Sequence, residues 1–423
     1  MDFEFNLDPM VWVGLATAAL AALLAFWTRF IPIWYAGSAI DTDIPADEAH
    51  TYEQDNSEPS DNAEDANSVS ADLHSGASSA PEGYPKLSVI VYAYTEIEAT
   101  ERYIREVMDQ DYPNFEVILV NEGSAETISI LKERFGEQYP NLYITFIPYD
   151  AHNLSRRKLA YTVGMKAASG HVALTTVSNC RIPSNRWLSE MMAPFVNDSL
   201  IDVVLGYTHV DFRELHGIDK WYRQMDATLT ACQWIGSAQM GTPYRGDCFN
   251  LAYKRELFFR QKGYSQTIHL VNGDDDIFLI PIMNGDNTAV AISPASILTT
   301  EWEEAAGRIL ATTKERYQFT ARFLPKLPFV RAGIGSIMQW LTLFGAACAA
   351  VAGLPSYTAL IAAAVFLTIV WTTETLIYRR TARRLESICL WWSFPLFLLW
   401  HPFGNLIFRI RRRNQIRKNY TFA

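Results

Sequence analysis

Between Ala332 and Thr373 the chain carries no charged side chain. No other feature constrains the fold as much, because a soluble helix normally keeps one polar face toward water. Leu354-Pro355-Ser356 divides the run, and each half suffices for one bilayer-spanning helix of about 20 residues. A buried soluble hairpin could be as long, but it would show a polar face. Met10 to Trp27 reads MVWVGLATAALAALLAFW, close to the shortest length that spans a bilayer. Asp2, Glu4 and Asp8 precede it without a Lys or Arg. The positive region of a cleaved signal peptide is therefore missing, and an uncleaved anchor is expected.

Positive charge orients these segments. Arg379, Arg380, Arg383 and Arg384 follow the third apolar run, and Arg409, Arg411, Arg412, Arg413, Arg417 and Lys418 lie near the end. Basic clusters flanking spans stay on the cytoplasmic side. The apolar stretch Ser387–Phe408 then cannot cross once between them. Pro395, Pro402 and Gly404 are expected to break it into an interfacial or re-entrant hairpin on the inner leaflet, with a fourth span as the alternative. Counting spans puts the N-terminus outside and residues 34–331 in the cytoplasm, in a multi-pass protein of the inner membrane.

The net charge of −10 belongs to one segment. Asp41 to Tyr84 holds twelve acidic residues and no Lys or Arg, leaving 36 basic against 34 acidic residues elsewhere. With few large apolar residues, 34–84 cannot offset its ordering entropy, and a disordered acidic tether is expected. No basic stripe with interleaved aromatics marks a nucleic-acid binder. The five cysteines are scattered, with no CxxC pair, which argues against a disulfide framework. The expected organisation is an anchor (1–33), the linker (34–84), a cytoplasmic domain (85–330), two spans (331–378) and a basic hairpin with its tail (379–423).

The domain alternates strand and helix. Leu87–Tyr94, Phe115–Val120, Leu142–Ile147 and Val172–Thr176 read as buried strands, with helical patterns through Met108 and over Ala125–Phe135 and Leu154–Ala168. This spacing predicts a mostly parallel α/β sheet, whose ligands sit at the carboxyl ends of the strands. At one such end Asn121, Glu122, Gly123 and Ser124 suit a base, ribose or phosphate, although a plain turn uses the same residues. Thr176-Val177-Ser178-Asn179-Cys180 follows another strand, after a helix with Arg156, Arg157 and Lys158. Those three bases either face a diphosphate or form a solvated face. Asp274, Asp275 and Asp276 are consecutive carboxylates that need a cation, a base's role or open water to persist. Ile277-Phe278-Leu279-Ile280 follows them and argues for a structured site over a solvated turn. Lys314, Arg316 and Tyr317 offer two cations and a ring within one helical turn, suited to a pyrophosphate and a stacked base. Trp221, Tyr222 and Trp234 either pack the core, the plainer role, or line an acceptor groove. His152, His171, His209, His216 and His269 show no metal-ligand spacing.

In this order the segments resemble a family 2 glycosyltransferase of the GT-A fold, over roughly Pro85 to Leu324. Lys86–Val91 is similar to the family's opening strand, and Gln110-Asp111-Tyr112-Pro113-Asn114-Phe115-Glu116-Val117-Ile118 to its Q-x-Y-P-x-x-E-[VI]-I stretch. Arg245-Gly246-Asp247-Cys248-Phe249-Asn250-Leu251-Ala252-Tyr253-Lys254-Arg255 looks like R-G-x-x-x-N-L-A-Y-[RK]-[RK]. Gly273–Asp276 stands at the [ED]-D motif, and Arg316-Tyr317 at the end of Q-x-x-R-W. The resemblance implies transfer of a sugar from a nucleotide-diphospho-sugar donor to an acceptor hydroxyl, with inversion. It makes Asp275 the general base, with Asp274 and Asp276 tuning it or holding sugar hydroxyls. Asn121, Glu122, Ser124, Arg156, Lys158, Asn179, Lys314, Arg316 and Tyr317 would bind the donor. The membrane segments add lipids and a lipid-linked or membrane-associated glycan acceptor, for cell-envelope polysaccharide or glycolipid synthesis.

Two positions depart from the family pattern. Asn121-Glu122-Gly123-Ser124 replaces D-D-G-S, a mild exchange. Val177-Ser178-Asn179 replaces D-x-D, which in the family holds Mn2+ or Mg2+. Val177 cannot bind a metal and Asn179, the one candidate ligand left, offers a neutral carbonyl where hard cations prefer charged oxygens. Basic residues could neutralise the diphosphate instead. A degenerate metal motif also fits a non-catalytic relative that binds glycan or scaffolds an assembly. A metal-dependent nucleotidyl- or phosphotransferase would use the triple Asp but leaves the Arg245–Tyr253 segment unexplained. A transporter would need more intramembrane charge than Glu374.

Overall fold

The computed structural model describes residues 9–37, 83–94, 97–123, 125–147, 155–211, 217–268, 270–300, 306–354, 357–387 and 393–419. The acidic linker lies almost wholly outside them, as does Ser124.

Helix α1 (Pro9–Ala25) continues through a π-helical turn (Phe26–Phe30) into α2 (Ile31–Ala36). The domain begins β1 (Leu87–Ala93), α3 (Ile97–Met108), β2 (Phe115–Glu122), α4 (Ala125–Phe135), β3 (Leu142–Ile147), α5 (Arg156–Ala167) and β4 (Val172–Val177). It continues with β5 (Cys180–Arg181), α6 (Trp187–Asn197), β6 (Val203–Leu205), β7 (Thr208–Val210), α7 (Gly217–Gln239), β8 (Leu251–Lys254) and α8 (Arg255–Arg260). β9 (Thr288–Val290), β10 (Leu298–Thr300) and α9 (Ala306–Thr320) complete it, before α10 (Leu327–Ala352), α11 (Tyr357–Arg384) and α12 (Phe394–Asn419).

The expected parallel sheet is present, in the order β3-β2-β1-β4-β8-β6-β9. β1 pairs in parallel with β2 (Leu87 beside Phe115) and with β4 (Leu87 beside Val172). All seven residues of β1 are buried, because helices cover both faces of such a sheet and leave its central strands no polar side. Within this seven-stranded sheet the exception to parallel order is β8, antiparallel to both β4 and β6. Asn250 anchors its entry. Its amide donates to the carbonyls of Tyr207 and Ser296, and its oxygen accepts from the Trp187 indole. A smaller sheet, β5-β10-β7, lies past the end of β4.

Among the described residues, three helices are long and apolar enough to cross a membrane: Pro9–Ala36, Leu327–Ala352 and Tyr357–Arg384. They pack through small residues, as spans without a hydrophobic driving force between them do. A methyl added to Gly14 would stand 2.9 Å from Ala349, and one on Gly345 2.9 Å from the Ala18 nitrogen. The anchor also grips the domain, since Gly236 of α7 lies so close to Pro32 of α2 that a Cβ there would overlap the Pro32 carbonyl oxygen at 1.8 Å.

Residues 394–419 correct the expected hairpin. They form one continuous helix through Pro395, Pro402 and Gly404. Pro395 falls in the first turn, where its missing N–H costs nothing. Pro402 gives up one internal hydrogen bond, and packing of Phe394, Phe397 and Leu398 into the core offsets that loss. Gly404 admits the Tyr222 hydroxyl, which a Cβ would meet at 2.0 Å.

Candidate active site

β2, β1 and β4 are neighbours and parallel, so their carboxyl ends form one edge. There the expected residues meet. Asn121, at the end of β2, is buried and its amide nitrogen has no hydrogen-bond partner among the described residues. Asn179, just past β4, is buried with both side-chain polar atoms in that condition. Buried polar atoms normally find partners, so two such amides at one sheet edge mark a place for a polar ligand. Glu122 accepts from the Tyr92 hydroxyl and pairs with Arg156 at 2.8 Å.

The three consecutive aspartates are fully or almost fully buried, and each meets its own arginine. Arg157 grips Asp274 through two hydrogen bonds of 2.6 Å. Arg245 stands 3.6 Å from Asp276, whose other oxygen accepts from the Ile277 backbone N–H. Arg316 lies 3.0 Å from Asp275. Arg316 aside, the Asp275 oxygens have no hydrogen-bond donor among the described residues. These contacts divide the three chemically. Burial alone would raise the Asp274 carboxyl, but the Arg157 guanidinium reverses that and holds it below its ordinary value. Burial pushes Asp275 up to about 7, Arg316 opposing and the Asp276 and Asp274 charges adding to it. A carboxylate poised near neutrality with open lone pairs can take a proton.

Not every expected donor ligand points to the site. Lys158 is a correction: its ammonium donates to the carbonyls of Thr267, Leu270 and Asn272 at 2.6, 3.0 and 2.9 Å. All three of its donors brace the loop that leads into the aspartates, and burial lowers its pKa to about 8. Tyr317 lies under Arg245, whose guanidinium carbon is 3.9 Å from the ring centroid. Lys314 faces away from the aspartates and bridges to Asp226 at 2.8 Å.

Arg316, Lys314 and Tyr317 line a cavity of about 900 Å³ between the domain and the membrane-proximal helices, with Asp247, Tyr222 and Trp234 among its other walls. Tyr222 and Trp234 thus border the cavity while packing the protein. Several residues here were not read from the sequence. Arg245 and Asp247 lay inside the quoted Arg245–Tyr253 segment, and that segment was their available signal. Asp226, on α7, pairs with both Lys314 and His401. Nothing in the local sequence marks partners 88 and 175 positions apart.

A protein-held divalent cation does not fit this set. Val177 has no ligand atom, Asn179 is neutral, each aspartate of 274–276 already faces an arginine, and the described residues include no group of three or more potential ligands.

The model of glycosyl transferase family 2 matches residues 88–242. No curated protein matches the chain in sequence. Among solved structures, a mannosyltransferase from Pyrobaculum calidifontis in complex with GDP-Man and Mn2+ aligns at 17% identity and a TM-score of 0.48, over 88% of this chain and 99% of that one. Glucosyl-3-phosphoglycerate synthase from Mycobacterium tuberculosis, in complex with phosphoglyceric acid, aligns at 16% identity and a TM-score of 0.36, over 55% and 80%.

Proposed function

We propose, from the premise that residues 88–242 are a family 2 glycosyltransferase domain, that this membrane protein moves a sugar from a nucleotide-diphospho-sugar to an acceptor hydroxyl, with inversion. The acceptor is a lipid-linked or membrane-associated glycan of cell-envelope polysaccharide or glycolipid synthesis. The observation that carries the reading is the difference among the aspartates: Arg157 binds both oxygens of Asp274, Asp276 accepts from the Ile277 N–H through one oxygen, and at Asp275, with a pKa of about 7, neither oxygen has a hydrogen-bond donor among the described residues besides the Arg316 ion pair.

In this mechanism the donor enters at the carboxyl edge of β2, β1 and β4, where Asn121 and Asn179 supply hydrogen bonds to its polar groups. Arg316 exchanges Asp275 for the diphosphate, as a charge-assisted bond to a dianion outcompetes one to a monoanion. That exchange frees Asp275 to remove the acceptor proton as the diphosphate departs from the opposite face of the sugar. A positioned base contributes about 10²–10⁴-fold, and fixed positive charge at the leaving group a comparable term. No step is assigned to a metal.

Antiparallel packing brings Arg29, Gln339 and Glu374 of the three spans together at one end, the end that meets the domain. Arg379–Arg384 emerge there too, which supports a domain on the positive, cytoplasmic side. The deciding experiment is Asp275→Asn in the full-length protein. Transfer should fall at least about 10²-fold with thermal stability retained, and unimpaired transfer would remove Asp275 as the base.

A further inference from the structure

His401 of α12 sits where the first spans, α7 and α9 converge, with its side chain only 12% exposed. Arg29 reaches its Nδ1 at 3.3 Å, and its Nε2 lies 2.9 Å from an Asp226 oxygen. A guanidinium has donors only. Nδ1 therefore accepts from Arg29, and the ring proton sits on Nε2, where it donates to Asp226. These contacts require a neutral imidazole in one tautomer. Burial favours that form by lowering the His401 pKa below its ordinary value, the Asp226 contact opposing. Phe397, one turn earlier, has its ring centroid 5.3 Å away, and the Asn405 side-chain nitrogen, one turn later, lies 3.1 Å from Nε2. The plane of the ring is thus fixed from both sides. Arg29 is fixed as well: it is 2% exposed and donates to Ser336 and Gln339 of α10 at 3.2 and 2.9 Å.

The other Asp226 oxygen holds the Lys314 ammonium of α9 at 2.8 Å. Burial alone would raise the Asp226 carboxyl, but His401 and Lys314 together hold it below its ordinary value. Lys314 and Arg316 stand about 200° apart around the α9 axis. A tether on Lys314 therefore sets the rotation of the helix, and with it the direction in which Arg316 points. We infer that His401 is a positioning residue, which through Asp226 and Lys314 fixes the rotation of α9 and the aim of Arg316 at Asp275. Its Nε2–H keeps the Asp226 carboxylate turned toward Lys314, and Arg29 keeps that proton on Nε2. The link to catalysis rests on the transferase reading, whereas the link to Arg316 does not.

The test follows the proton on Asp275 and needs no substrate. Chemical denaturation of the full-length protein in neutral detergent, from about pH 6 to 9, is compared with that of the same protein carrying Asp275→Asn. The difference in stability falls as Asp275 ionises, with its midpoint at about 7. His401→Asn keeps an acceptor at the Nδ1 position and loses the donor to Asp226. With Arg316 less well aimed, the midpoint should rise by about one pH unit, the low end of what an opposite charge beside a carboxylate contributes. Asp226→Asn cuts the same link from α7, should raise the midpoint likewise, and carries the test if His401→Asn does not fold. His401→Gln places an amide donor at the Nε2 position and should restore the original midpoint. An unmoved midpoint in either folded asparagine variant would overturn the inference. An equal rise in His401→Gln would also overturn it, by assigning the effect to a general loosening of α12. Neither result touches the transferase reading, whose base is tested separately by transfer in Asp275→Asn.

Discussion

Asp275 answers to two opposing forces, burial with its neighbours' charges pushing its pKa up and Arg316 pulling it down, and the balance lies near 7. Because an unfolded aspartate titrates near about 4, the folded protein binds the extra proton between those values. Its contribution to stability is complete below about pH 4 and is lost as pH rises through about 7. Activity runs the other way, since the base must be ionised. kcat/KM should rise with pH along an acid limb centred near 7, and a profile flat from pH 6 to 8 would argue against this base. Asp274 tells a different story at the same scale. Its side chain is fully buried and held by Arg157, so Arg157→Ala strands a charge at a cost of about 3–5 kcal/mol. Chemical denaturation should report that loss, with Asp274→Asn in the same background restoring part of it.

One turn of α9 points three ways. Lys314 reaches α7 through Asp226, Glu315 pairs with Arg412 of α12 at 3.1 Å, and Arg316 meets Asp275. The same turn thus ties α7 and α12 to the residue that faces the base. α7 plays the matching role on the other side, where Gly236 accepts the backbone of α2. Even a methyl there overlaps Pro32, so Gly236→Val must separate the anchor from the domain. Overpacking of this kind costs typically about 1–3 kcal/mol, and the thermal midpoint should fall by several degrees. An unchanged midpoint would show that the anchor does not brace the domain.

At the scale of the whole molecule, a cation-rich cavity lies between the α/β domain and described helices that are long and apolar enough to cross a membrane. If arginines neutralise the leaving diphosphate, transfer should persist in excess EDTA, and abolition restored by Mn2+ would show that the cation enters despite the poor ligand set. The proposed topology makes a reporter fused after Ala423 cytoplasmic and one fused before Met1 external. Both reporters on one side would require a different number of crossings.

Much of this architecture was legible in the chain itself. Long apolar helices, strands and the α/β order are local properties: a run of uncharged residues has no polar face to turn to water, and a strand buried on both faces reads as unbroken Val, Ile and Leu. Leu142–Ile147 ends where its pattern ends, and the order of Asp109–Ile118, Arg245–Arg255, Asp274–Asp276 and Arg316-Tyr317 pointed to the family whose model matches 88–242. The roles of individual charges were not legible, because charge is a long-range term set by partners that only folding brings near. Lys158 looked like Arg156 and Arg157, yet a loop more than a hundred residues on consumes its donors. Pro402 looked like a break, yet tertiary packing carries the helix through it. Which aspartate keeps open lone pairs, and which cations share a cavity, depends on distances across the fold, and composition and periodicity contain no such distances.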